Sequence, residues 1–411
     1  MESKVAQVMR TAILVFLAFI LISAASAQTL TVLYSFTGKQ DGSEPSAELV
    51  LGKNGNLYGT TTYGGSTTNC QYGCGTVFEV TPSGDERVLH TFTGGDGAYP
   101  DGKLVFDASG NLYGTTLFGG DLHCVLGSQP GCGTVFKITP SGKKTVLHRF
   151  TGKTDGGMPM GWVVFDPAQN MYGVASEGGA AGLGTIFEIT PTGKESTLHV
   201  FTGPDGAHPE AGLVLDNVGN LYGTTASGGG YNTDAGAVFK LTPAGKESIL
   251  HGFIFTFTST DGYQPIAAVA FDKYGNLYGT TIDGGDRRCD PGGCGVVFKI
   301  TPSGTGTESV LYAFTGWANT GPDGAWPRAG VVIDANGNLF GTTYRGGAYG
   351  SGTVFKLTPS GKETVLYSFG GSADDGWLPN AGLVFDAQGN LYGTTMGGGV
   401  YGAGTVFKLV P

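Results

Sequence analysis

The chain has 411 residues, 75 of them glycine, and a formal net charge of −10 at pH 7. An acidic chain of this kind repels phosphate backbones and anionic lipid, which argues against nucleic acid as a partner. Abundant glycine with few charges is a mark of low complexity unless the glycines are placed. Here they recur at fixed points between aromatic and β-branched runs, as turn residues do.

The first predicted element is an export leader. Lys4 and Arg10 form a basic start, residues 11–22 an apolar run, and the small residues 23–27 a peptidase site with cleavage after Ala27. The run is too short for a membrane span of about 20 residues, and no Cys stands at the cleavage point to take a lipid. No later stretch resembles a transmembrane segment. The expectation is a soluble monomer without a membrane span after cleavage, secreted, extracellular or periplasmic. Taking the leader's net +1 (Glu2, Lys4, Arg10) from −10 leaves −11.

Next comes a strand-like run at 29–37, followed by units of 50 to 60 residues, and such a period defines the architecture. The clearest segment, G-N-L-Y-G-T-T, stands at 55–61, 110–116, 219–225, 275–281 and 389–395. Phe340 replaces Tyr in 337–343, and the third copy has drifted to 170–175. Each unit holds four strand-like runs: an apolar stretch such as 104–106, L-Y-G-T-T, G-T-V-F-K-I-T, and T-V-L-[YH]-x-F. The inner runs are continuously apolar, as in sheets buried on both faces. The turn at 107–111 places Gly at a positive-φ position, and T-P-S-G at 139–142 presets its φ with Pro.

The last unit ends at Pro411 without its fourth run, and the run at 29–37 supplies one of the right kind. The prediction is therefore all-β: a seven-bladed β-propeller with four antiparallel strands per blade, closed by the N-terminal strand completing blade 7. The blades fall at 46–93, 101–151, 160–202, 210–257, 266–315, 328–369 and 380–411, the last joined by 29–37, all in one domain over 28–411.

Six cysteines form three near pairs, Cys70 with Cys74, Cys124 with Cys132 and Cys289 with Cys294, each between the second and third strands of its unit. In an exported chain these predict local disulfides. Their spacings are irregular and only His123 lies near a pair, so no metal site is assigned. His90, His148, His199 and His251 share a repeat slot with Tyr34, Tyr312 and Tyr367 and read as structural. The Asp of D-G-x-x-P (41, 96, 155, 205, 261, 323 and 375) recurs once per blade, which suggests turn hydrogen bonding in place of a calcium cluster. Glycine pairs such as Gly64-Gly65 lack the helix and Lys of a phosphate loop.

Positions that vary inside a fixed frame are the functional candidates, and loops on a rigid scaffold are their usual place. Before the repeated Pro stand Glu44, Tyr99, Met158, His208, Gln264, Trp326 and Leu378; after it stand Ser46, Asp101, Met160, Glu210, Ile266, Arg328 and Asn380. Two positions further lie Glu48, Lys103 and Trp162, against small residues in the other copies. These should meet at the mouth of the central channel and form a pocket. As a binding module for an extracellular glycan or protein, Tyr99, Trp162 and Trp326 would stack on a ring while Asp101, Arg328 and Asn380 supply hydrogen bonds, beside Glu44 and Glu48. As a lyase or hydrolase, His208 and Glu210 would be the acid–base pair and Lys103 or Arg328 the anion stabiliser. Binding is the favoured reading. No cofactor is expected, with a structural cation in the channel left open.

The unit L-Y-G-T-T-x-x-G-G … G-T-V-F-K-[IL]-T-P-x-G-K-E-x-x-L-[YH]-x-F resembles the GloVer tandem-repeat family of exported bacterial proteins, over nearly the whole chain after the leader. The resemblance implies export and surface display, often through a C-terminal sorting anchor. Residues 404–407 run on to Pro411 without such a segment, so it carries no anchor over, and no catalytic residues come with it.

Overall fold

In each repeat the L-Y-G-T-T and T-V-F-K-I runs pair antiparallel and form the buried centre of a four-stranded sheet. In blade 1, Leu57–Thr61 lies against Thr76–Val80, with the short inner strand Val50–Leu51 on one side and the outer strand Glu86–Thr91 on the other. The computed structural model describes residues 28–411 except 128, 231–233, 256–259, 287–288, 290–291, 302–305 and 317–322; the leader proposed for 1–27 lies outside the described residues. Seven such sheets make a seven-bladed β-propeller, and among the described residues there is no helix.

The seventh blade closes the ring. Its own chain gives Val384–Phe385, Leu391–Thr395 and Thr405–Val410, and its outer strand is Thr29–Ser35, paired from Thr29 opposite Val410 to Ser35 opposite Thr405. Closure removes the edges that an open array would expose.

One set of contacts recurs between neighbouring blades. The Phe ending an outer strand meets the third-strand Phe of the next blade edge to face, from Phe92 on Phe136 to the closing Phe36 on Phe78, with centroids 5.2 and 5.0 Å apart. Five more pairs repeat this contact, and such packing adds about 0.5–1.5 kcal/mol per pair beyond area burial. The Gly opening each third strand has a second reason to be Gly besides its positive φ. A Cβ on Gly75 would lie 2.7 Å from Pro100 of the next blade, and one on Gly404 would lie 2.5 Å from Pro45 across the closure.

The histidine slot and the D-G-x-x-P aspartate are partners. Tyr34, Tyr312 and Tyr367 donate to Asp41, Asp323 and Asp375; His90, His148, His199 and His251 bond Asp96, Asp155, Asp205 and Asp261 at 2.8–3.3 Å. The same carboxylates accept turn N–H groups, such as Thr37 on Asp41 and Thr93 on Asp96. The expected turn role is therefore joined by an anchor to the outer strand.

Candidate functional site

All seven residues before the repeated Pro are left-handed, with φ from 53° for Glu44 to 59° for Leu378. Non-glycine residues rarely adopt this conformation, and a following Pro favours extended backbone instead. Two hydrogen bonds impose it. Each N–H donates to the preceding blade at 2.8–2.9 Å, as Tyr99 does to the Cys74 carbonyl and His208 to that of Leu183. Each carbonyl accepts from the end of its own blade's second strand, Leu117 N for Tyr99 and Ala226 N for His208.

The three disulfides form, Cys70–Cys74, Cys124–Cys132 and Cys289–Cys294. In each, the second cysteine's carbonyl receives the N–H of a rim residue: Tyr99 on Cys74, Met158 on Cys132, Trp326 on Cys294. The bridges hold the seats of three mouth residues as well as their own loops.

The residues after Pro line the upper channel. Ser46, Asp101, Met160, Glu210, Ile266, Arg328 and Asn380 surround a narrow space of about 130 Å³. On the loop side it widens into a cavity of about 380 Å³, where Glu44, Tyr99, Asp101, Arg328 and Asn380 are joined by Tyr63, Tyr72, Phe118 and Gln129. Tyr63 packs edge-on against both Tyr99 and Tyr72, and Tyr99 against Phe118. Arg328 lays its guanidinium over the Tyr344 ring, 3.9 Å from the centroid. Its Nε is buried and makes no hydrogen bond. Burial pushes the Asp101 carboxyl above the ordinary range, although Ser46 and Thr62 donate to it.

Not every expected residue faces this cavity. The Trp326 indole packs with the Cys289–Cys294 bridge and donates Nε1–H to the Gly293 carbonyl at 3.2 Å. His208 sits at the rim with Nδ1 3.2 Å from the Ser176 carbonyl and 3.4 Å from Glu177 Oε1. Burial raises the Glu210 carboxyl, a shift that His208 opposes and Asp101 and Glu177 reinforce.

Glu48, Lys103 and Trp162 form a belt deeper in the channel. Lys103 Nζ donates to Glu48 Oε1 and lies 5.4 Å from the Trp162 ring centre. Glu48 reaches Gly382, and the Trp162 ring lies so close to Gly212 that a Cβ there would stand 2.1 Å from it. The small residues noted in the other copies leave room for this belt.

Tyr63, Tyr72, Phe118 and Tyr344 escaped the sequence reading. All but Tyr72 fall on the variable pair of T-T-x-x-G-G, where the rule applied beside the repeated Pro would have found them.

Fold and channel together define an axially plugged seven-bladed propeller with a polar, aromatic mouth on its loop side. The chain matches the Gloeobacter/Verrucomicrobia repeat over residues 20–124, 123–322 and 289–411 and belongs to that family. No curated protein is similar enough to count as a relative. Among solved structures, the extracellular domain of a B. thetaiotaomicron protein described as a one-component system gives a TM-score of 0.57 at 9% identity, covering 93% of this chain and 40% of that one. A gluconolactonase from Xanthomonas campestris gives 0.47 at 12% identity, covering 94% and 92%. A Bacteroides uniformis protein described as a 6-phosphogluconolactonase gives 0.48 at 16%, covering 78% and 83%. At these identities the likeness is one of fold.

Proposed function

We propose that the protein is an exported, non-catalytic binding module whose mouth holds an extracellular carbohydrate. The observation that carries this reading is Arg328: a guanidinium stacked on Tyr344, its Nε buried without a hydrogen bond, in the wall of a cavity lined with tyrosines. A buried donor without a partner is costly, yet the protein holds this guanidinium in the cavity wall without engaging all its donors, and arginine donors suit ligand oxygens. Aromatic faces with a few convergent polar groups suit a sugar ring. The strained rim supports the same reading. None of its seven left-handed positions is Gly, in a chain with 75 glycines, although Gly alone would adopt that backbone freely. Side chains are retained there against a backbone preference.

The test is a glycan array with the purified protein, repeated with Arg328→Ala and Asn380→Ala, the fold of each checked by circular dichroism. A glycan bound by the parent should be lost by at least one folded variant. Equal binding by parent and both variants would remove the mouth from the account.

A catalytic reading rests on His208 beside Glu177 and on the raised Glu210 carboxyl. It has lost its Lys103, which the belt engages with Glu48. Release of new reducing or unsaturated ends from polysaccharide, abolished by His208→Ala, would establish it in place of simple binding.

A further inference from the structure

Beyond the belt, the channel opens into a second chamber on the side of the tight turns. It encloses about 1050 Å³, larger than the loop-side cavity. Its walls are the inner strands, with Val50, Val105, Phe106, Val164, Leu215 and Phe271 facing the space, and Lys103 and Trp162 form its inner end. Apart from Lys103 at the inner end and the Tyr58 hydroxyl, the polar side chains of its lining, Lys53, Asn54 and Asp107, belong to the turns at its outer rim.

Much of this wall follows from the blade frame. Phe106 packs edge-on against Tyr58 of the preceding blade and Phe165 against Tyr113, which positions one hydrocarbon residue per inner strand. The inner end does not follow from the frame. Four copies carry Gly or Ala where Glu48, Lys103 and Trp162 stand. Three successive blades therefore depart from the repeat to close the channel, and they do so with an internally neutralised ion pair and an indole. The result is a cup: apolar at the sides, indole at the base, polar at the lip.

We infer that this chamber is a second ligand site, separate from the loop-side mouth, for a molecule with an uncharged alkyl or aryl body and a polar group at one end. Its volume is at the upper end of the range of small-molecule sites, about 300–1,000 Å³. The hydrocarbon wall offers water few hydrogen bonds, so an apolar body gains by displacing it. Lys103 and Glu48 satisfy each other, so the inner end has no net charge to attract an ion. The polar end of the ligand belongs at the lip, near Lys53 and Asn54. This inference does not depend on the carbohydrate reading, which uses the other side of the belt.

The probe is N-phenyl-1-naphthylamine, titrated into the full folded protein. The expected result is saturable binding of one probe per chain, with energy transfer from Trp162 that is largely lost in Trp162→Phe while probe binding persists. Val164→Trp should fill the chamber and weaken binding by about tenfold or more; Leu215→Trp fills it from another blade should the first variant misfold. Two results would overturn the inference: no saturable binding, or binding that both filling variants leave unchanged, which would put the probe on an exposed patch. Glycan binding at the mouth should survive Val164→Trp and Leu215→Trp, whose residues line only the second chamber, so the two sites fail separately.

Discussion

The interface between blades 1 and 2 and that between blades 4 and 5 share one frame and differ in the residue that meets the inter-blade aspartate. In the first, Lys144 Nζ lies 2.9 Å from Asp96 Oδ2 and also bonds the Asp96 carbonyl, with His90 on the same carboxylate. Burial opposes ionisation of Asp96, yet His90 and Lys144 hold it well below the usual carboxylate range. In the second, Glu308 takes the place of Lys144 and meets Asp261 and His251, one carboxylate oxygen of each acid and one ring nitrogen lying within 4.8 Å of one another. Glu308 Oε1 is buried without a hydrogen bond, as are the matching oxygens of Glu86, Glu195, Glu247 and Glu363. Burial, and then the neighbouring aspartates 261, 41, 205 and 323, push Glu308, Glu86, Glu247 and Glu363 up to about 7. Two carboxylates this close cannot both ionise cheaply. One slot of the frame is thus filled by a cation in one interface, by a carboxyl held up by burial in five, and by Leu30 in the seventh.

The same ring contact joins the blades at every interface, including the one made by the chain's first strand. Phe36→Ala and Phe92→Ala test whether the closing interface is as tight as the rest, and they carry the largest effect. Both rings are fully buried, so each truncation should cost about 3–5 kcal/mol. Chemical denaturation of the two variants should give costs within about 1 kcal/mol of each other. A near-zero cost for Phe36→Ala alone would mean that the first strand does not hold the ring.

Lys144→Glu then converts the first kind of interface into the second. It removes a buried cation from Asp96 and adds a carboxyl, so a loss of about 3 kcal/mol is expected at pH 8. Part should return at pH 5, where the new carboxyl takes up a proton. A loss of the same size at both pH values would show that the slot senses only shape.

Seven copies of a glycine-spaced motif, one of them lacking its last strand, made the propeller and its closure readable from residue order alone, because turn chemistry is local. Pairing across loops was not readable. His90 and Asp96 each stood out in the repeat, but nothing in their spacing said that one bonds the other. Glu48, Lys103 and Trp162 were visible as exceptions to small residues. Their union into a belt depends on three blades converging on an axis, which no spacing encodes. Trp326 was expected to face a ligand as an aromatic at a variable position; its indole is engaged by the Cys289–Cys294 bridge, a contact set by the preceding blade.

The raised glutamates have the smallest effect per site and a definite sign. Glu86, Glu247, Glu308 and Glu363 move from an ordinary 4.5 to about 7 on folding. The folded state therefore binds more protons than the unfolded chain between those values. Their stabilising contribution is complete below about pH 4.5 and is lost as the pH rises through 7. These side chains are partly exposed, so screening limits each to about 1 kcal/mol or less. Asp96 has the opposite sign, its contribution present above its unfolded value near 3.8 and lost in stronger acid. Between pH 5 and pH 8 the glutamates act in the same direction as the other carboxyls that burial raises, Asp101, Glu210 and Asp283, so Tm should fall across that window. Replacing all four by Gln should flatten the slope and raise Tm at pH 8, since an amide supplies the neutral partner that the proton otherwise provides. An unchanged slope in that variant would show that the carboxyl pairs share no proton, and the difference between the two kinds of interface would be one of side-chain shape.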